Sequence, residues 1–71
     1  MSETLCEFTL NGEPFQLAAG RTLDELVATL SLQGQALALA VNRKVVPRRL
    51  WGDQRIAAGD RIEVVRAIGG G

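Results

Sequence analysis

The residues with the plainest capacity for chemistry stand at the end of the chain, in Gly69-Gly70-Gly71. The last of them carries an α-carboxylate with a reference pKa of about 3.5, so it is ionised at neutral pH and can attack a phosphate. Because glycine has no side chain, such an end can enter a narrow site. The competing interpretation is a frayed end or a cloning remnant, because disorder concentrates at termini.

Other reactive groups are scarce in the sequence. Histidine is absent and Cys6 is the only cysteine, so neither an internal disulfide nor a Cys/His zinc cluster can form. A thiol without a neighbouring base is a poor catalyst, and we expect Cys6 to be a small core residue. The chain also lacks an acid–base pair and a phosphate-binding loop. The sequence therefore predicts no metal, no bound cofactor and no catalytic machinery.

Length and composition predict one small folded domain. The chain has 71 residues, 46% of them hydrophobic, and its eight basic residues balance its eight acidic ones. A net charge of zero provides no electrostatic basis for binding nucleic acid or an anionic membrane. The apolar run Ala36–Val41 is far too short for a membrane span, and the first residues do not resemble a signal peptide. We expect a cytoplasmic protein with neither nucleic acid nor membrane as a partner.

The first third of the chain predicts a β-hairpin followed by a helix. Residues 5–10 alternate between apolar and polar, Asn11-Gly12 is a strong hairpin turn, and residues 15–17 alternate again. Thr22 and Glu25 have the spacing of a capping box. The helix is expected to run from Leu23 to Leu30 or Leu32, with Gly34 as its stop.

The remaining residues predict three more strands. Residues 36–42 are apolar on both faces, which is typical of an internal strand, and Val45-Val46 forms a short strand that Pro47 ends. A single turn follows, with Trp51 packed against the sheet. In the last strand, residues 61–67, Ile62 and Val64 are expected to face the helix. Val65 and Ala67 then lie on the opposite face, where they are candidates for docking a partner.

These elements predict an α+β fold. One main helix crosses one face of a mixed sheet, in which the first and last strands lie side by side and parallel. Residues 1–67 form the domain, and residues 68–71 are expected to be a flexible glycine tail.

Three internal segments and the terminal glycines resemble a known family. They are residues 40–42 (Ala-Val-Asn), 46–51 (Val-Pro-Arg-Arg-Leu-Trp) and 58–63 (Ala-Gly-Asp-Arg-Ile-Glu). The layout resembles the β-grasp, or ubiquitin-like, fold. The segments together resemble the ThiS family of bacterial thiamine-pathway sulfur carriers, and Val-Pro-Arg-x-x-Trp is the most specific of them. The third glycine departs mildly from the family's Gly-Gly ending and makes Gly71 the reactive residue.

The resemblance implies a carrier protein. In that family an adenylating, E1-like enzyme uses ATP to activate the terminal carboxylate. Sulfur that comes from cysteine through a desulfurase then produces a thiocarboxylate, and thiazole synthase takes the sulfur. Carried over to this sequence, Gly71 is the modified residue, and Ile68, Gly69 and Gly70 thread into the partner's active site.

Three other functions stay open from the sequence. A carrier for molybdopterin synthesis and a ubiquitin-like protein modifier would share the fold and the glycine tail. The segment 20–26, together with Val41-Asn42 and Gly59-Asp60, is also similar to TGS domains, which are β-grasp modules of translation-related proteins. The last alternative would be an RNA- or ribosome-binding module, and the neutral charge disfavours it.

Overall fold

The chain folds as a five-stranded sheet with one helix across one face, and the computed structural model describes residues 4–66. In chain order the elements are β1 (Leu5–Leu10), β2 (Glu13–Ala18), α1 (Leu23–Thr29), β3 (Leu37–Val41), β4 (Lys44–Val46), a 3-10 turn (Arg48–Leu50) and β5 (Arg61–Arg66). The strand order is β2-β1-β5-β3-β4. Strands β1 and β5 are parallel, and the other pairs are antiparallel. The predicted α+β architecture is confirmed, with β5 at the centre of the sheet.

The two hairpins of the sheet both turn through left-handed residues. Asn11 and Gly12 have φ of 52° and 84°, and Asn42 and Arg43 have φ of 52° and 71°. Two consecutive positive φ values are the signature of type I′ turns, whose twist suits antiparallel strands. The Asn-Gly signal therefore predicted both the place and the type of the first turn.

Helix α1 begins as the sequence predicts. The Thr22 hydroxyl accepts a hydrogen bond from the Glu25 amide at 3.3 Å, and the Glu25 carboxylate accepts one from the Thr22 amide at 3.0 Å. A hydrogen bond of 2.7 Å from the Arg21 guanidinium, reinforced by the Thr22 amide, lowers the pKa of Glu25. This reciprocal capping satisfies two of the amides that a helix leaves unpaired at its start.

The predicted end of the helix is wrong. The helix stops at Thr29, and Ser31 takes the left-handed conformation with φ of 59°. The Ser31 amide donates to the Ala28 carbonyl and the Leu32 amide to the Val27 carbonyl, both at 3.0 Å. These two bonds form a Schellman cap, which usually has glycine at the left-handed position. Gly34 instead lies in the following turn.

The core lies between α1 and the sheet. Its fully buried large side chains are Trp51, Leu23, Leu26, Leu39 and Ile62, and Cys6 is also buried, as predicted. Trp51 closes the core from the loop after β4, because its indole N–H donates to the Val46 carbonyl at 2.8 Å while the ring is 1% exposed. A tryptophan is buried without penalty only when that N–H finds an acceptor.

Candidate functional site

The predicted site residues fall into two groups. The first group lies outside the described residues and comprises Gly71, the three residues Ile68, Gly69 and Gly70, and Ala67 of the docking face. Val65 lies within them, in β5. What the structure describes is therefore the strand that leads to the glycines and the surface around Val65.

The two faces of β5 are assigned correctly for the described residues. Ile62 is 1% exposed and belongs to the core, and Val64 is half-buried and packs against that core. Val65 is 61% exposed on the face that carries no helix. Successive side chains of a strand point to opposite faces, so the burial of Ile62 and Val64 dictates the exposure of Val65.

Small apolar residues surround Val65 on the helix-free face. Val65 is registered opposite Ala38 of β3, and Ala40 is registered between Glu63 of β5 and Val45 of β4. Val45 is 73% exposed. We call Val65, Ala38, Ala40 and Val45 the outer patch. Its alanines leave a low, flat surface between two valines, and large apolar side chains this exposed are candidates for an interface.

The sequence did not point to Val45. A strand of three residues is too short for its alternation to indicate which face is buried. The register of β4 against β3 decides the question, because Leu39 pairs with Val46 on the buried side and Ala40 pairs with Val45 on the outer side.

Strand β5 is paired unequally along its two edges. Five residue pairs join it to β3, from Val41–Ile62 to Leu37–Arg66. Only two pairs join it to β1, Thr9–Arg61 and Leu10–Ile62, since β1 then turns away at Asn11. The Asn11 backbone amide still donates to the Ile62 carbonyl at 2.8 Å.

The Asn11 side chain makes the next hydrogen bonds along this edge of β5. Its Oδ1 accepts a hydrogen bond from the Val64 amide at 2.9 Å, and its Nδ2 donates to the Val64 carbonyl at 3.3 Å. A carboxamide has the same donor and acceptor groups as a peptide unit, so it imitates one residue of a missing strand. We call this pair of bonds the Asn11 clamp.

A similar contact lies at the beginning of β5. The Arg61 amide donates to Asn42 Oδ1 at 3.0 Å, and Asn42 Nδ2 donates to the Asp60 carboxylate at 3.1 Å. Both asparagines occupy the first left-handed position of a hairpin turn. The turn preference alone did not reveal either contact, because Gly-Gly would make the same turn without them.

Residues 4–66 contain neither a membrane-spanning helix nor a cluster of metal-ligating side chains. No helix in that part of the chain is long and apolar enough to cross a membrane. No three side chains among the His, Cys, Asp and Glu residues described lie close enough together to hold a metal ion.

Comparisons with known proteins agree on one family. The model of the ThiS family matches residues 8–71. The chain is 35% identical over 65 residues to the sulfur carrier protein ThiS of Escherichia coli (strain K12), a match that covers 92% of this chain and 98% of that protein. The crystal structure of the thiamine biosynthesis protein ThiS from Geobacter metallireducens superposes with a TM-score of 0.79 at 26% identity, covering 92% of this chain and 99% of that one.

A much longer protein also matches. The chain is 42% identical over 62 residues to a thiazole synthase of Magnetococcus marinus. The match covers 87% of this chain but only 19% of that protein. The family model, the carrier of similar length and the shared fold together lead to one conclusion: this chain belongs to the ThiS family.

Proposed function

We propose that this chain is a sulfur carrier for the thiazole branch of thiamine biosynthesis and is not itself an enzyme. The Gly71 carboxylate attacks the α-phosphorus of ATP in a partner enzyme, and pyrophosphate leaves. The terminal sulfur of a persulfide, formed by the desulfurase, then displaces AMP from the acyl-adenylate and forms an acyl disulfide. A thiol cleaves that disulfide and is itself oxidised to a disulfide, which leaves a thiocarboxylate on Gly71. Thiazole synthase finally takes that sulfur.

The observation that carries this proposal is the reach of the family match. The match extends to residue 71 and so includes the glycines. The Escherichia coli relative that is named a sulfur carrier is almost fully covered by this chain. A relative of nearly the same length, with no large additional region, supports the same role for the whole chain.

The thiazole synthase match supports one of the partners. A segment similar to this chain makes up about a fifth of a protein of that name. Carrying both on one polypeptide raises the effective concentration of one for the other, which is useful only if they act together. The adenylating enzyme and the cysteine desulfurase follow from the family chemistry alone and are part of the proposal.

The folded domain and the tail have different roles in this chemistry. We assign residues 68–71 to the tail that enters each partner's active site, with Ile68, Gly69 and Gly70 as the threading residues. Fixing the backbone of each residue costs roughly 1–2 kcal/mol, so the partner has to recover that free energy through other contacts. Val65 and Ala67, with the rest of the outer patch, are the surface that we propose for those contacts. The carrier needs no bound cofactor, because the adenylating enzyme binds the ATP, and we place these steps in the cytoplasm.

Complementation tests the pathway. The full chain is expressed in two bacterial strains, one lacking its thiamine sulfur carrier and the other lacking its molybdopterin carrier. We expect growth without thiamine to return in the first strain and molybdoenzyme activity to stay absent in the second. The chain without Gly70-Gly71 is the matched control and should rescue neither. The reverse pattern would favour the molybdopterin alternative, and rescue by the shortened chain would contradict the carrier proposal.

A further inference from the structure

We propose that Asn11 is a positioning residue for sulfur transfer. Its side chain holds β5 at Val64, and in doing so it positions the last described residues of the strand that precedes the proposed tail. This inference rests on the proposed role of Gly71. It assigns to a hairpin-turn residue, 60 positions away in sequence, a part in presenting the reactive end.

The end of β5 depends on Asn11 because the two edges of that strand are paired unequally. On one edge, β3 accompanies the strand as far as Arg66. On the other edge, β1 accompanies it only as far as Ile62, and the Asn11 clamp is the described contact that continues beyond it. Strand ends open with free energies close to zero, so one or two hydrogen bonds decide whether such an end is mostly paired or mostly open. Each bond changes that balance by about fivefold.

An open end would disturb the docking surface as well. Val64 anchors β5 to the core side, and Val65 follows it directly on the outer patch. If Val64 leaves the sheet, Val65 no longer lies opposite Ala38 and the following residues start from a variable place. A partner that recognises the outer patch and the tail together then meets a smaller fraction of competent carrier. The apparent affinity falls in proportion to that fraction.

Asparagine suits both the left-handed turn and the hydrogen bonds to Val64. It tolerates the left-handed conformation with φ of 52°, and it offers a donor together with an acceptor to one peptide unit. Glycine would satisfy the turn and lose both bonds. Aspartate would keep the bond from the Val64 amide and lose the bond to the Val64 carbonyl.

Asn42 provides a matched control. It has the same φ of 52°, lies in the same kind of turn and accepts a bond from the backbone of β5, but at Arg61 instead of Val64. Asn42→Gly therefore removes a comparable contact from the start of the strand and leaves its end in place. The two glycine variants should lose similar stability in thermal unfolding.

The experiment uses the full chain as wild type, Asn11→Gly, Asn11→Asp and Asn42→Gly. Amide hydrogen exchange at Val64 reports the clamp. We expect it to accelerate about 25-fold in Asn11→Gly, fivefold for each lost bond, and less than twofold in Asn42→Gly. Steady-state kinetics with the pathway's adenylating enzyme report how well the carrier presents its C-terminal end to that enzyme. We expect KM for the carrier to rise about fivefold or more in Asn11→Gly with kcat within twofold, KM to stay within twofold in Asn42→Gly, and Asn11→Asp to restore part of the loss.

The outcomes separate the two proposals. If wild type is adenylated and the two glycine variants have equal KM values, the positioning role of Asn11 is wrong and the carrier function stands. An unchanged exchange rate at Val64 in Asn11→Gly would also overturn the inference, whatever the kinetics. If the wild-type chain is not adenylated at all, the proposed function fails, and the positioning role fails with it.

Discussion

Replacing Val65 by aspartate should separate binding from folding. Val65 is 61% exposed and its neighbour in sequence, Val64, is half-buried against the core. The two valines lie in the same strand and differ in the face that they occupy. Val65→Asp therefore tests the outer patch, and Val64→Asp is its matched control.

The expected magnitudes follow from exposure. Burying a whole valine side chain is worth about 1.5 kcal/mol or more, and roughly three-fifths of Val65 is still available to be buried by a partner. Losing that contact costs roughly 1 kcal/mol, and desolvating an unpaired carboxylate adds to it. The affinity should fall at least about tenfold, which is 1.4 kcal/mol. Exposed substitutions change stability little, so we expect Val65→Asp to lose less than about 1 kcal/mol of unfolding free energy and Val64→Asp about 3 kcal/mol.

Two measurements on the same proteins decide the matter. Urea unfolding gives the free energy of unfolding, and calorimetric titration with thiazole synthase or the adenylating enzyme gives the affinity. We expect Val65→Asp to unfold nearly as wild type does and to bind poorly. Unchanged affinity for both partners would refute the outer patch as a docking surface. A loss of stability as large as that of Val64→Asp would refute the assignment of the two faces.

Three further predictions concern the body that carries the site, all read from thermal or urea unfolding. Thr22→Ala removes the helix cap and should cost about 1 kcal/mol, whereas no loss would show that the capping bonds contribute nothing in solution. Because the folded-state pKa of Glu25 is lowered, its stabilising contribution is present above the ordinary glutamate pKa of 4.5 and should disappear as the pH falls through the lower folded-state pKa; a Glu25→Gln variant should lack that component, and an identical acid profile would contradict it. Trp51→Phe leaves the Val46 carbonyl without its donor and weakens the contact of the ring with the Arg48 guanidinium, which lies 5.1 Å from its centroid, so about 2 kcal/mol should be lost; Arg48→Ala, which keeps the indole donor and removes the ring contact together with the hydrogen bond to the Gln35 carbonyl, should lose clearly less.

The elements that the sequence predicted correctly depend on neighbours along the chain. The Asn11-Gly12 turn, the capping pair Thr22 and Glu25, and the alternation of Ile62, Val64 and Val65 each follow from residues within four positions of one another. The parallel pairing of β1 with β5 was predicted for a different reason, because the order of the elements leaves a long excursion between the first and last strands that lets them lie side by side. Local chemistry and the order of the elements together predicted most of the architecture.

The features that the sequence missed depend on distant contacts or on weak local preferences. Ser31 ends the helix in a conformation that usually selects glycine, so Gly34 was the stronger local signal and the wrong one. The face of Val45 depends on its register with Ala40. The Asn11 clamp joins residues 53 positions apart, and a pattern read along the chain does not contain such a pair.

The central claim is that Gly71 carries sulfur, and intact mass measures it most directly. The full chain is incubated with ATP, the adenylating enzyme and a cysteine desulfurase supplied with cysteine, and its mass is recorded beside that of a chain lacking Gly70-Gly71. We expect the full chain to gain the mass of one oxygen-to-sulfur exchange, with fragmentation locating it at Gly71, and the shortened chain to stay unchanged. An unmodified full chain, or sulfur located elsewhere, for example on Cys6, would contradict the claim.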